Sequence, residues 1–116
     1  MSVDRLERVN SLLRRVIAEG VFTVMRGDLV SPGCITITGV SCGRDLHDAV
    51  VSVSVFGDEN LKTVAMRQLR ARARRFQELI AREVKMKFTP RLTFRLDRSI
   101  EQGDKVLAIL DSLPQA

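Results

Sequence analysis

Apolar residues recur at three- and four-residue steps near the start of the chain: Leu6, Val9, Leu13, Val16, Ile17 and Val21. That spacing puts them on one face of a helix over residues 4–24. Ser2 or Asp4 can cap its start. Arg5, Arg8 and Arg15 fall together on another face. Gly20 lowers helix stability and weakens the last turn. The stretch "RGDLVSPG", 26–33, is rich in turn residues and ends the pattern. The period then changes to two. In "CITITGVSC", 34–42, Ile35 and Ile37 alternate with Thr36 and Thr38; in "AVVSVSVF", 49–56, Val51, Val53 and Val55 alternate with Ser52 and Ser54. Both read as strands with one buried face, and the short "GRDLHD" between them predicts an antiparallel pair.

After "GDEN", where Asp58 or Asn60 can cap a helix, the helical period returns. Leu61, Val64, Ala65, Leu69, Ala73, Phe76, Ile80 and Val84 form one stripe, either as one long helix or as two nearly in line with a kink. Pro90 ends it. "LTFRLD", 92–97, alternates again as a third strand. A closing helix follows from Ser99, with Val106, Leu107, Ile109, Leu110 and Leu113 apolar and Gly103 in its first turns. The fold class is therefore α+β: a three-stranded sheet with helices packed on one face. The 116 residues are enough for one core, so residues 1–116 read as one domain.

Charge sharpens this picture. The chain carries +5 in total, but residues 67–91 hold nine Lys/Arg and two Glu, a local +7, which leaves −2 for the rest. On a helical wheel at about 100° per residue, Arg67, Arg70, Arg74, Arg82 and Lys85 gather opposite the apolar stripe, with Glu78 among them. Arg75, Lys87 and Arg91 lie beside them. A helix face that only solvates mixes signs, because opposite charges at i,i+4 stabilise it and like charges there cost a few tenths of a kcal/mol. A one-sign ridge points instead to a polyanion. Arg5, Arg8 and Arg15 form a second patch if the first helix packs nearby. Arg72 falls inside the apolar arc, where a snorkelling stem or a local bend is needed to release its charge. The chain has five Phe and no Trp or Tyr, which favours phosphate-directed binding over a stacking platform.

Catalytic chemistry is not evident. His47, the only histidine, lies in a strand connection beside Asp45 and Asp48 and reads as a loop histidine without a role. Cys34 and Cys42 are eight residues apart in one strand, too far for a disulfide, and two isolated thiols fit a reducing cytoplasm. No spacing suits a metal or a nucleotide cofactor, no apolar run approaches a membrane span, and the N-terminus has no secretory h-region. The expectation is a non-enzymatic protein without cofactor, metal, small-molecule substrate or membrane partner, with a monomer as default. A protein–protein interaction module acting without RNA is the competing reading.

Three blocks carry a resemblance over residues 4–113. They are "RLERVNSLLRRVIAEGV", then "ITITGVSCGRDLHDAVVSVSVFG", then "FTPRLTFRLDRSIEQGDKV". Thr38-Gly39-Val40 followed by Arg44-Asp45-Leu46 and Ala49, and Pro90, Leu92, Phe94, Asp97, Ser99 and Gly103 at their spacing, are the specific parts. Together they resemble the ribosome-binding factor A family of bacterial small-subunit maturation factors. The resemblance implies a KH-like, type II sandwich in the order α-β-β-α-(kink)-α-β-α. It implies binding to the small ribosomal subunit and its rRNA, late maturation of that rRNA at its 5′ end, importance in the cold, and no catalysis. It also places an interhelical Ala-x-Gly kink over Arg72-Ala73-Arg74, where this chain has neither the small first residue nor the glycine. Gln77 stands where the family usually has arginine.

Overall fold

The structure, a computed structural model, describes residues 3–27 and 30–99, with side chains from residue 5 onward. The first helix, α1, spans Val3–Val24. A 3-10 turn, Pro32–Cys34, leads into β1 (Ile35–Cys42), followed by β2 (Asp48–Val55), α2 (Glu59–Ala71), α3 (Ala73–Glu83) and β3 (Arg91–Leu96). The expected caps at Ser2 and Asp4 and the expected closing helix after Ser99 lie outside the described residues.

The sheet has the order β1-β2-β3. β1 and β2 are antiparallel, as the short connection requires, and β3 joins β2 in parallel across the two-helix crossover. Ile35 and Ile37 pair with Val55 and Val53 on the core face. A bulge then intervenes between Ile37 and Gly39, and Val40 and Cys42 pair with Val51 and Ala49. The extra residue moves the buried set from odd to even positions, which is why "ITITGVSC" loses its alternation at Gly39. Thr38, the residue set out of register, donates to Asp97 Oδ2 at 2.8 Å. Asp97 sits below the ordinary carboxylate range because the Ser99 backbone N–H, and then the Ser99 and Thr38 hydroxyls, favour its charged form.

One core joins Leu13, Ile17 and Val21 of α1 to the inner faces of all three strands and to Leu69, Phe76 and Ile80 of the crossover helices. Gly20 sits where α1 meets α3. A Cβ there would lie 2.7 Å from Leu79 Cδ1 and 3.6 Å from the Phe76 ring, so the glycine that weakens α1 also lets α3 approach it closely. α2 starts as expected at Asp58, whose carboxylate accepts from the Leu61 N–H at 2.8 Å.

Both edges of the sheet are covered by helix side chains. On β1, Asn10 Oδ1 accepts from the Cys42 N–H at 2.9 Å and Arg14 Nε donates to the Ile37 carbonyl at 3.4 Å. On β3, Arg70 donates to the Phe94 carbonyl at 3.2 Å and Gln77 to the Pro90 carbonyl at 3.0 Å. Such bonds blunt strand edges that would otherwise template pairing.

Candidate nucleic-acid interface

The stripe from Leu61 to Val84 is two helices, not one. The Arg72 N–H bonds back to Gln68 and Leu69, while the Arg72 carbonyl is already the acceptor for Arg75 and Phe76. Arg72 itself has φ −105° and ψ 12°. Any L-residue reaches that region, so the break needs no glycine. The bend also resolves the awkward place of Arg72 on a continuous wheel: the apolar arc is interrupted there, and Arg72 is half-buried at the junction. The wheel's single straight ridge is corrected accordingly. Arg67 and Arg70 belong to α2, and Arg74, Arg75 and Arg82 to α3.

The first turn of α3 carries Arg74 and Arg75 and no acidic residue. Cations at a helix N-terminus run against the helix dipole, whereas an anion there is favoured by it. The local arrangement is thus complementary to phosphate.

All eleven basic residues of the sequence reading are exposed: Arg5, Arg8, Arg15, Arg67, Arg70, Arg74, Arg75, Arg82, Lys85, Lys87 and Arg91. Their surroundings differ. Arg70 is held by the edge of β3, and Arg75 donates to the Val24 carbonyl at the C-terminal end of α1, 3.3 Å away. The Arg91 side chain lies 3.8 Å from Asp48, with both groups largely in solvent. Among the described residues, Arg8, Arg15, Arg67, Arg74, Arg82 and Lys85 make no ion pair.

Tertiary packing joins the second patch to the end of the first. Where α1 lies against α3, a groove of about 600 Å³ is lined by Arg5, Arg8, Val9, Ser11, Leu12 and Arg15 of α1, and by Val84 and Lys85 just after α3. Four basic groups surround an apolar floor. A second depression, about 490 Å³, shares Val84 and Lys85 and adds Arg82, Glu83 and Lys87. The basic surface therefore runs from α1 past the end of α3, with Glu83 the one carboxylate lining either hollow.

The sequence reading gave His47 no role. Its ring lies 4.9 Å from that of Phe88, centroid to centroid. Proximity of Phe88 to the basic segment was the only sequence signal, since the partner ring, at position 47, is far away in the chain. Among the described residues, no group of three or more His, Cys, Asp or Glu is arranged to hold a metal ion, and no helix is long and apolar enough to cross a membrane. Cys34 and Cys42 are free thiols, and burial pushes the Cys42 thiol up from its usual value.

Comparison with known proteins bears on what such a surface serves. A family model described as ribosome-binding factor A matches residues 5–110. This chain belongs to the ribosome-binding factor A family. The relative from Synechocystis sp. is 33% identical over 112 residues, which cover 97% of this chain and 84% of that protein. The relative from Parasynechococcus marenigrum is 35% identical over 109 residues, covering 94% and 81%. Among solved structures, crystalline ribosome-binding factor A from Thermus thermophilus matches with TM-score 0.69 at 28% identity, covering 81% of this chain and 98% of that one. A solution structure of a Thermotoga maritima protein shares the fold, with TM-score 0.73 at 20% identity, covering 87% and 94%. The KH-like α+β fold of the family is thus also the fold of this chain.

Proposed function

We propose that this protein binds the small ribosomal subunit through phosphates of its rRNA and acts there, without catalysis, in late maturation of that rRNA, including its 5′ end. In this reading it works as a cytoplasmic monomer, and growth in the cold is the condition that most needs it. Family membership supplies the ribosomal context. A Thermus thermophilus ribosome-binding factor A fitted into the map of a complex with the 30S subunit is similar to this chain with TM-score 0.60 at 29% identity.

The observation that carries the proposal is the α1–α3 groove, where Arg8, Arg15 and Lys85 are brought together with no carboxylate lining it. Three like charges converging without an ion pair among the described residues are complementary to a phosphate backbone, which presents negative charge at short, regular intervals. Arg82 lines the neighbouring hollow and extends this surface.

Crosslinking of the protein to small subunits, with the sites mapped on both partners, tests the reading. Crosslinks from α1 and α3 to rRNA, together with affinity that falls steeply with salt, are expected. Salt-insensitive binding with crosslinks to ribosomal proteins alone would overturn it. Cells lacking the protein are expected to accumulate small-subunit rRNA with an unprocessed 5′ end, most of all in the cold.

A further inference from the structure

Two exposed rings meet at the end of the sheet where β3 begins. His47 closes the connection between β1 and β2, and Phe88 lies in the connection between α3 and β3. Their centroids are 4.9 Å apart with planes inclined at 34°. Phe88 is 51% exposed, whereas Phe76 and Phe94 are 0% and 2% exposed in the core. The connections are locked together, since the Arg91 N–H donates to the His47 carbonyl at 2.8 Å.

The backbone shapes this presentation at some cost. Leu46, immediately before His47, has φ 62°, the only non-glycine residue with positive φ among the described residues. Its side chain packs against the core while His47 faces solvent. Residues held in this region persist where the surroundings over-determine them, and they cluster at binding sites.

Cationic groups lie on the same connections as the rings. Lys87 Nζ lies 5.5 Å from the Phe88 centroid. Lys85 is exposed in the same connection, and Arg91 at the first position of β3. Of the nearby carboxylates, Asp45 accepts from the His47 N–H at 3.1 Å and Asp48 faces Arg91. Aromatic faces surrounded by ammonium and guanidinium groups suit a nucleotide, with a base to stack and phosphates to neutralise.

We propose that His47 and Phe88 form a platform on which one unpaired RNA base stacks, with Lys85, Lys87 and Arg91 taking the flanking phosphates. The proposal rests on the RNA-binding reading above and deepens it: part of the RNA is single-stranded at the point of contact. It also revises the expectation that binding is directed at phosphate alone.

The test uses the full chain and two short single-stranded RNAs, one carrying a fluorescent purine analogue and one with an abasic site at the same position. Wild-type protein is expected to quench the analogue and to bind the abasic RNA about tenfold more weakly. The double variant His47→Ala/Phe88→Leu, checked for an unchanged melting temperature, should lose both the quenching and the discrimination. Phe88→Tyr should keep both, and it covers the case in which the double variant fails to fold. Quenching and discrimination that persist in the folded double variant would overturn the platform while leaving the phosphate surface intact. So would a double variant that binds RNA normally but no longer contacts a ribosomal protein. A wild-type protein that binds no RNA overturns the RNA reading itself, and the platform with it.

Discussion

Two clusters of positive charge on this molecule look alike in the sequence and differ in the fold. The dense one, Arg70 to Arg75, sits at the break between α2 and α3. There Arg70 is bonded to β3 and Arg75 to the end of α1. The sparse one is assembled by α1 packing on α3, from Arg8 and Arg15 with Lys85, seventy residues further along the chain. None of these three makes an ion pair among the described residues. Charge density along a chain therefore does not measure charge available to a partner. An arginine in the dense cluster can be a structural clamp, and a lysine outside it can complete a surface of unpaired charge.

The largest effect that separates the two roles comes from the packing that builds the groove. Phe76 is fully buried between α1 and the sheet. Phe76→Ala is expected to cost about 3–5 kcal/mol of stability in denaturant unfolding. It should weaken subunit binding in the surviving folded protein as well, because the groove depends on α1 meeting α3. Neutralising the groove acts differently. Arg8→Gln, Arg15→Gln and Lys85→Gln together should lower the slope of log affinity against log salt by about two to three, with unfolding unchanged.

Smaller effects sharpen the comparison inside the dense cluster. Arg75→Ala should destabilise by about 0.5–1.5 kcal/mol through the lost bond to the α1 terminus. Its neighbour Arg74, with no such bond, should change stability by less than about 0.5 kcal/mol on the same substitution. Equal losses for the two would contradict the division between clamp and contact.

The smallest expected effect concerns another clamping arginine. Arg98 holds Glu59 in the first turn of α2 by bonds of 2.7 and 2.8 Å. Its hydrogen bonds are the main reason the Glu59 carboxyl lies at about 2 rather than its usual 4.5. A carboxyl depressed on folding contributes stability that is present above its unfolded value and fades as pH falls towards 2. Glu59→Gln should therefore lower stability slightly at neutral pH, with the difference from wild type fading as pH falls from about 4.5 towards 2, so that the acid limb is flatter; an unaltered limb would sink the assignment.

Much of the fold was legible in the sequence, because periodicity reports burial directly. The helix expected over 4–24 runs Val3–Val24, and each strand falls within one residue of its expected span. The bulge at Thr38 left a trace in the broken alternation of "ITITGVSC". What periodicity could not give was decided by tertiary contact. A stripe from Leu61 to Val84 fits one helix as well as two, and the break at Arg72 uses backbone angles that no residue type announces. Gly20 read as a weakness of α1 because its benefit, the approach of Leu79 and Phe76, comes from another helix. The groove and the His47–Phe88 pair each join residues far apart in sequence, and hydrophobic pattern carries no information about such meetings.

The most direct test of the central claim compares two charge reversals in small-subunit binding, each normalised to folded protein. One variant reverses Arg8, Arg15 and Lys85; the other reverses Arg70 and Arg75. The first should lose binding at an unchanged melting temperature. The second should lower the melting temperature and retain more of its binding per folded molecule. Intact binding by the groove variant, with binding lost by a fully stable Arg70/Arg75 variant, would contradict the account.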